Sequence, residues 1–206
     1  MYNALNDVDL ILAEDTRQTG KLLMLLGIKN TMKSYHKFNE HKMLASFINL
    51  IKQNEKVGLV SDAGTPGISD PGFLIIRECL INNIEVECLP GPTAFVPALV
   101  QSGLAIDRFC FEGFLPVKKG RKKRIEELKE ESRTMVFYES PYRIGKTLKD
   151  LFEGLGEERK ASVSRELTKK FEETLRGSLS ELADHYKGKT AKGEFVIIVE
   201  GKTSRN

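Results

Sequence analysis

Apolar and polar positions alternate along this chain as short apolar runs followed by stretches of helical spacing. Residues 8–13 (VDLILA) form an apolar run closed by Glu14, Asp15, Thr16 and Arg17. This predicts a buried strand whose polar residues emerge at its carboxyl end. A helix over 19–26 stops at Gly27. Residues 31–38 carry Ser34, Tyr35, His36 and Lys37, and residues 40–53 place Met43, Leu44, Phe47, Ile48 and Ile51 at helical spacing. A second strand, 57–60, runs through Ser61 and Asp62 into a loop with Gly64, Thr65, Pro66 and Gly67. Ser69-Asp70-Pro71 then reads as a helix start, a capping side chain followed by proline at the first helical position. The helix continues over 71–82. Residues 84–89 (IEVECL) alternate as a strand, turn at 90–94 (PGPTA), and lead into a helix over 93–102. The stretch 108–114 is the next strand.

The second half alternates in the same way. A helix is predicted over 125–131, strands over 134–138 and 160–164, and a short strand over 174–176. Ser140-Pro141 starts a helix reaching Phe152. Ser178 and Glu181 stand at capping-box spacing before a helix over 178–186. The continuous apolar run in 193–201 (GEFVIIVEG) predicts a strand buried on both faces. Strands alternating with helices imply an α/β fold with mostly parallel or mixed sheets. The compositional break after Phe114 suggests two α/β domains, 1–114 and 115–206.

Composition narrows the class without naming a function. The apolar fraction of 40% in 206 residues suffices for packed cores. Net charge is only +3, so a polyanionic partner must be met by a local patch. The three cysteines have no CxxC spacing, which argues against a zinc site or disulfide framework and fits a reducing cytoplasm. The N-terminus carries no secretory pattern, and no apolar run has membrane-spanning length. His36, His41 and His185 lack metal-ligand spacing, so no metal is expected.

Candidate chemistry gathers at strand ends. In a parallel sheet, the corners at 14–17, 62–67 and 90–94 emerge on one edge, where open α/β sheets bind small ligands. Each has a plainer reading: helix N-terminal charge for Glu14 and Asp15, a surface ion pair for Arg17, a tight turn for 62–67. No corner matches GxGxxG, which argues against a dinucleotide. Gly145-Lys146-Thr147 lacks the earlier glycine of a phosphate loop, Ser140 standing there, and reads as helix interior. The basic run Lys118, Lys119, Arg121, Lys122, Lys123 and Arg124 puts six cations in seven positions. It reads either as a solvated linker or as a nucleic-acid contact. Tyr138-Glu139, at a strand's carboxyl end, is core or ligand wall.

Several segments together resemble one family. They are 13–17 (AEDTR), 61–72 (SDAGTPGISDPG), 89–94 (LPGPTA), 111–116 (FEGFLP), 138–143 (YESPYR), 164–169 (SRELTK) and 193–201. The chain resembles the tetrapyrrole methylase superfamily, also called class III methyltransferases. Within it, the chain is similar to the ribosomal small-subunit RNA 2′-O-methyltransferases that modify a decoding-region cytidine of 16S rRNA. The resemblance implies two α/β domains, usually a homodimer, with S-adenosylmethionine in a cleft between domains. Cofactor-bordering residues would be Asp62, Ala63, Gly64, Thr65, Pro66, Gly67, Pro92, Thr93 and Ala94. Tyr138, Glu139, Glu166, Leu167, Glu194 and Phe195 would complete the site. The lysines and arginines of the basic run would contact RNA. Glu14, Asp15 and His36 are the candidate bases for a ribose hydroxyl, and Arg17 would hold phosphate or polarise the hydroxyl.

The family pattern also includes an earlier strand with a proline-rich loop and a small helical tail. Neither has a counterpart here, so the sequence reads as a methylase core trimmed at both ends. Gly145 stands where relatives tend to carry a larger apolar residue. Two other functions share these residues: methylation of a small tetrapyrrole, and a non-catalytic ribosome-binding remnant of the fold.

Overall fold

The computed structural model describes residues 2–202. The chain divides into two compact units, 1–93 and 94–206.

In the first unit, helix α1 (Tyr2–Asp7) precedes strand β1 (Leu10–Ala13), helix α2 (Thr16–Leu26), strand β2 (Met32–Ser34), helix α3 (Glu40–Lys52), strand β3 (Val57–Val60) and helix α4 (Phe73–Ile81). The three strands form one sheet in the order β2-β1-β3, every pair parallel. β1 is central and wholly buried, as its apolar run requires. Its residues alternate between two cores. Leu10 and Leu12 pack with Tyr35, Phe47 and Ile75, and Ile11 and Ala13 pack with Leu23 and Ile28. Parallel pairing puts the carboxyl ends of all three strands on one edge.

Two local expectations for this unit differ from the structure. The alternating stretch 84–89 joins no strand ladder, and residues 85–89 are exposed. Its alternation defines a face, but only Ile84 reaches the core that β1 and β3 share. Helix α4 starts two residues later than Ser69-Asp70-Pro71 suggests, because the Pro71 carbonyl instead accepts the Gly67 N–H at 3.2 Å and closes the preceding loop.

The second unit begins with helix α5 (Phe95–Ser102). Strand β4 (Phe109–Phe114), helix α6 (Arg121–Leu128), strand β5 (Thr134–Glu139), helix α7 (Ile144–Leu155), strands β6 (Lys160–Arg165) and β7 (Glu173–Ser178), helix α8 (Leu179–Tyr186) and strand β8 (Phe195–Val199) follow. The sheet order is β4-β5-β8-β6-β7; β4 and β5 run parallel and the other pairs antiparallel. Central β8 is buried along its length, with Phe195, Ile197 and Val199 in one core and Val196 and Ile198 in the other. The strand 109–114, which the sequence reading assigns to the first domain, pairs with β5. The observed units therefore meet between Thr93 and Ala94 rather than after Phe114.

The cap at Ser178 forms as spaced. Its hydroxyl accepts the Glu181 N–H and the Glu181 carboxylate accepts the Ser178 N–H. Gly145 lies inside α7, where a Cβ would stand 2.9 Å from the carbonyl oxygen of Tyr186, the last residue of α8. Close packing of these two helices explains glycine there.

Candidate functional site

Two clusters of the candidate residues form, one in each unit. In the first unit, Glu14 follows β1, Asp62 stands one residue past β3, and their main chains are laced together. The Glu14 N–H donates to the Val60 carbonyl at 3.1 Å. One Glu14 oxygen, Oε2, accepts the Asp62 N–H at 3.2 Å, and Asp62 Oδ1 accepts the Asp15 N–H at 3.2 Å. Glu14 Oε1 and Asp62 Oδ2 lie outside this lattice.

Asp15 caps α2, accepting the Arg17 N–H at 2.8 Å. The Arg17 guanidinium closes on both its oxygens, Nε to Oδ1 at 3.0 Å and Nη2 to Oδ2 at 2.6 Å. These bonds hold the Asp15 carboxyl down from 3.8 to about 2. Such an acid is a weak base at neutral pH. The folded form thus favours the charged carboxylate. Its contribution to stability is present above the ordinary carboxylate range and is lost as pH falls towards 2. In Arg17→Ala, the Asp15 carboxyl should titrate upward towards 3.8, as carboxyl-carbon NMR would measure. An unmoved titration would mean that the helix N-terminus, not Arg17, sets its acidity.

His36 leaves the sheet on the same edge, after β2. Its Nδ1 accepts the Phe38 N–H at 3.2 Å, so a neutral ring carries its proton on Nε2. The Asn39 side chain holds this turn, accepting the His36 N–H at 2.9 Å and donating to the Ser34 carbonyl at 2.9 Å.

The glycine loop after β3 folds back on itself. The Ser61 hydroxyl donates to the Gly64 carbonyl at 3.2 Å, and the Ile68 N–H donates to the Thr65 carbonyl at 3.2 Å. Gly64 and Gly67 have φ of 83° and 85°, the left-handed region that side chains disfavour. The Thr65 hydroxyl donates to the Pro92 carbonyl at 3.3 Å. This brings the 90–93 turn beside the loop although 84–89 forms no strand. Ala63 and Pro66 lie within the loop, Thr93 ends the unit, and Ala94 precedes α5 in the next.

In the second unit, the carboxyl ends of β5 and β6 and the start of β8 lie together, because Glu139 and Arg165 both stand opposite Phe195. The Glu166 carboxylate accepts the Glu194 N–H at 3.0 Å and the Lys169 ammonium at 2.9 Å, and Lys169 reaches Glu194 at 3.0 Å. Lys169 and the Glu194 N–H lower the Glu166 pKa, and Glu166 raises that of Lys169. Tyr138 packs edge-on to Phe111 and Phe114 and shares a core with Leu167.

Two members of this group are spoken for by the core. Phe195 is buried on the opposite face, edge-on to Tyr186. Glu139 is 2% exposed; its Oε1 accepts the Ser140 N–H at 2.7 Å and Arg143 Nη2 at 2.8 Å, and its Oε2 accepts the Thr147 hydroxyl at 2.6 Å. Ligand contact by either residue would fall to its main chain.

The basic run divides in two. Arg121 is 5% exposed and donates to Asp150 at 2.6 Å, to Thr147 at 2.8 Å and to the Pro116 carbonyl at 3.1 Å. Arg124 pairs with Glu112 at 2.6 Å and Glu127 at 3.0 Å. Lys118, Lys119, Lys122 and Lys123 are exposed. A seven-residue charge run offered no way to separate these roles; spacing to Asp150 and Thr147 on another helix does. Gly72 and Gly193 stand in segments that carry the family resemblance, but sequence reasoning assigned neither a steric role of its own. A Cβ on Gly193 would lie 2.4 Å from Glu166 Cγ, so that glycine makes room for the Glu166–Glu194 bond. Among the described residues no group of three His, Cys, Asp or Glu side chains could hold a metal ion. No described helix is long and apolar enough to cross a membrane.

Known proteins share both sequence and architecture with this chain. It is 46% identical over 200 residues to ribosomal RNA small subunit methyltransferase I of Synechocystis, covering 97% of this chain and 72% of that protein. The proteins of the same name from Thermotoga maritima and Haemophilus influenzae are 43% and 48% identical, covering 96% and 95% of this chain and 89% and 70% of theirs. In fold it is similar to uroporphyrin-III C-methyl transferase from Thermus thermophilus, solved with S-adenyl homocysteine, with a TM-score of 0.65, 18% identity and coverage of 96% and 88%. Cobalt precorrin-4 methyltransferase superposes with a TM-score of 0.64 at 16% identity, covering 97% and 86%. The profile of one family spans residues 1–183. A family model over most of its length and relatives of this identity show that the chain belongs to the tetrapyrrole (corrin/porphyrin) methylases.

Proposed function

We propose that this chain is an S-adenosylmethionine-dependent methyltransferase acting on a cytidine ribose 2′-oxygen in the decoding region of 16S rRNA, within the small ribosomal subunit. The observation that carries this is the 43–48% identity, over at least 95% of the chain, to three proteins named for small-subunit ribosomal RNA methylation. The residues present fit the cofactor. The half-exposed 61–67 loop has two left-handed glycines, and Asp62 keeps one carboxylate oxygen for a hydroxyl or ammonium group. When bound, S-adenosylmethionine supplies an electrophilic sulfonium methyl.

The protein's part is to align the ribose hydroxyl and receive its proton. Of the three candidate bases, Asp15 is committed to Arg17, and His36 presents Nε2 as a donor. Glu14 Oε1 is the oxygen assigned here to accept the 2′-hydroxyl proton. Arg17, whose side chain is 85% exposed, keeps Nη1 for a phosphate oxygen. A homodimer, which the family resemblance implies, is the proposed working form. The proposed ribosomal substrate implies a cytoplasmic reaction.

The test is transfer of labelled methyl groups from S-adenosylmethionine to undermodified small ribosomal subunits. Glu14→Gln, which can still accept the Asp62 N–H, should slow transfer about 10²–10⁴-fold without changing S-adenosylhomocysteine affinity. Label entering a tetrapyrrole but no RNA would overturn the substrate, and unchanged transfer by Glu14→Gln would overturn the base.

A further inference from the structure

The loops that leave β4 and β5 carry an arrangement that neither methyl transfer nor core packing uses. These strands are parallel neighbours with Phe114 opposite Tyr138, so residues 115–120 and 140–143 leave the same end of the sheet from adjacent positions. Neighbouring strands lie about 4.8 Å apart. A register shift between Phe111 and Gly113 marks a bulge at Glu112. It re-aims Phe114, which meets the Tyr138 ring as Phe111 does yet remains half exposed. In the second loop Tyr142 is 94% exposed. Lys118 and Lys119 are exposed in the first loop, with Lys122 and Lys123 just beyond. No acidic residue occurs between Leu115 and Lys123.

Both loops are anchored from behind. Arg121 ties the Pro116 carbonyl to Thr147 and Asp150 of α7, and Thr147 and Arg143 bind Glu139 at the root of the second loop. Two aromatic rings are thereby held towards solvent beside four lysines, of which Lys123 has a carboxylate partner, Glu127 at 3.9 Å. Exposed rings next to a cationic track are what single-stranded nucleic acid needs: stacking surfaces for bases and charge for phosphates. A protein partner would be met by a broader apolar patch with fewer lysines.

We infer that residues 114–123 and 140–143 form one binding face for single-stranded RNA, with Tyr142 and Phe114 as base-stacking platforms and Lys118 and Lys119 as phosphate contacts. The inference rests on RNA being the substrate and names where this chain grips it. Arg121 and Arg124, although in the same run, hold the face in place and do not touch RNA.

Fluorescence anisotropy of a labelled single-stranded RNA of mixed sequence, with the whole chain, tests this. Tyr142→Ala should weaken binding about 5- to 100-fold, and Tyr142→Phe should stay within about two-fold of the unchanged protein. Replacing Lys118 and Lys119 together by alanine should lower the slope of log affinity against log salt by about 1.4. S-adenosylhomocysteine affinity, measured by calorimetry, should be unchanged in all three. Equal RNA binding by Tyr142→Ala would overturn the inference, as would a change in sedimentation with RNA affinity intact, which would make Tyr142 a contact between copies. Methyl transfer to subunits that survives Tyr142→Ala unaltered would sink this face but leave the proposed reaction standing. Loss of RNA binding in a protein that transfers no methyl would do the reverse.

Discussion

Replacing Glu139 by alanine is expected to destabilise the protein by about 3–5 kcal/mol, the cost of removing one partner from a buried ion pair. Glu139 stands at the end of β5 with its carboxylate shielded from water, accepting bonds from the Ser140 N–H, Arg143 and Thr147. Without it, the Arg143 guanidinium, whose Nη1 is already buried without a partner, loses its only ion pair among the described residues. The Thr147 hydroxyl would keep only the bond from Arg121. Domains are stable by about 5–15 kcal/mol, so the loss is a large fraction of the total. It should lower the melting temperature by roughly 6–20 °C. Glu139→Gln retains the geometry and should fall well short of that. Replacing Glu139 and Arg143 together by leucine and methionine should recover much of the loss, because a buried pair is often no better than its apolar equivalent. Thermal unfolding of the three variants decides this. If Glu139→Gln kept its melting temperature but lost S-adenosylhomocysteine binding, Glu139 would be a ligand contact and the buried network incidental.

Glu139 also marks the limit of what could be read from the chain alone. Its place at a strand's carboxyl end was legible from the apolar run before it. Its burial was not, because that depends on Arg143, Thr147 and Arg121 arriving from two other elements. Arg121 and Arg124 repeat the lesson. Identical charges in one run part company according to whether Asp150 or Glu112 lies opposite. Local signals carried further where the partners are local: the Ser178–Glu181 box formed as spaced, and Gly27 ends α2 in the left-handed conformation. Residues 84–89 failed for a complementary reason. Alternation records which side chains share a face, whereas a strand also requires a neighbour's free main chain. The domain division followed suit. Composition broke at the lysines, but β4 had already committed to β5 through backbone pairing that composition does not record. The corners at 14–17 and 62–67 share an edge because parallel topology places strand ends together, whereas the 90–93 turn lies beside them through the Thr65 bond to Pro92 and not through a strand.

The largest effect on ligand binding should come from a residue with no side chain. Gly72 precedes α4 with φ of 154° and ψ of −36°, a backbone conformation that L side chains rarely adopt. A Cβ there would stand 2.8 Å from the Gly67 nitrogen, 3.0 Å from its Cα and 3.3 Å from the Pro66 carbonyl carbon. All three are main-chain atoms, so no side chain can swing aside. Gly72→Ala must push 66–67 away from the start of α4, breaking the Gly67 N–H bond to Pro71 that closes the loop. Overpacking of this kind costs about 1–3 kcal/mol. Because the displaced atoms belong to the proposed cofactor loop, S-adenosylhomocysteine affinity should fall at least about 10-fold, the equivalent of 1.4 kcal/mol. Gly27→Ala is the matched control. It has φ of 69° with nothing within 4 Å of the added carbon, so it should cost about 1–2 kcal/mol of stability and leave binding unchanged. Calorimetric titration of both variants, with circular dichroism confirming that each remains folded, separates loop geometry from general strain. A folded Gly72→Ala that binds S-adenosylhomocysteine as tightly as the unchanged protein would remove the 61–72 loop from the cofactor site.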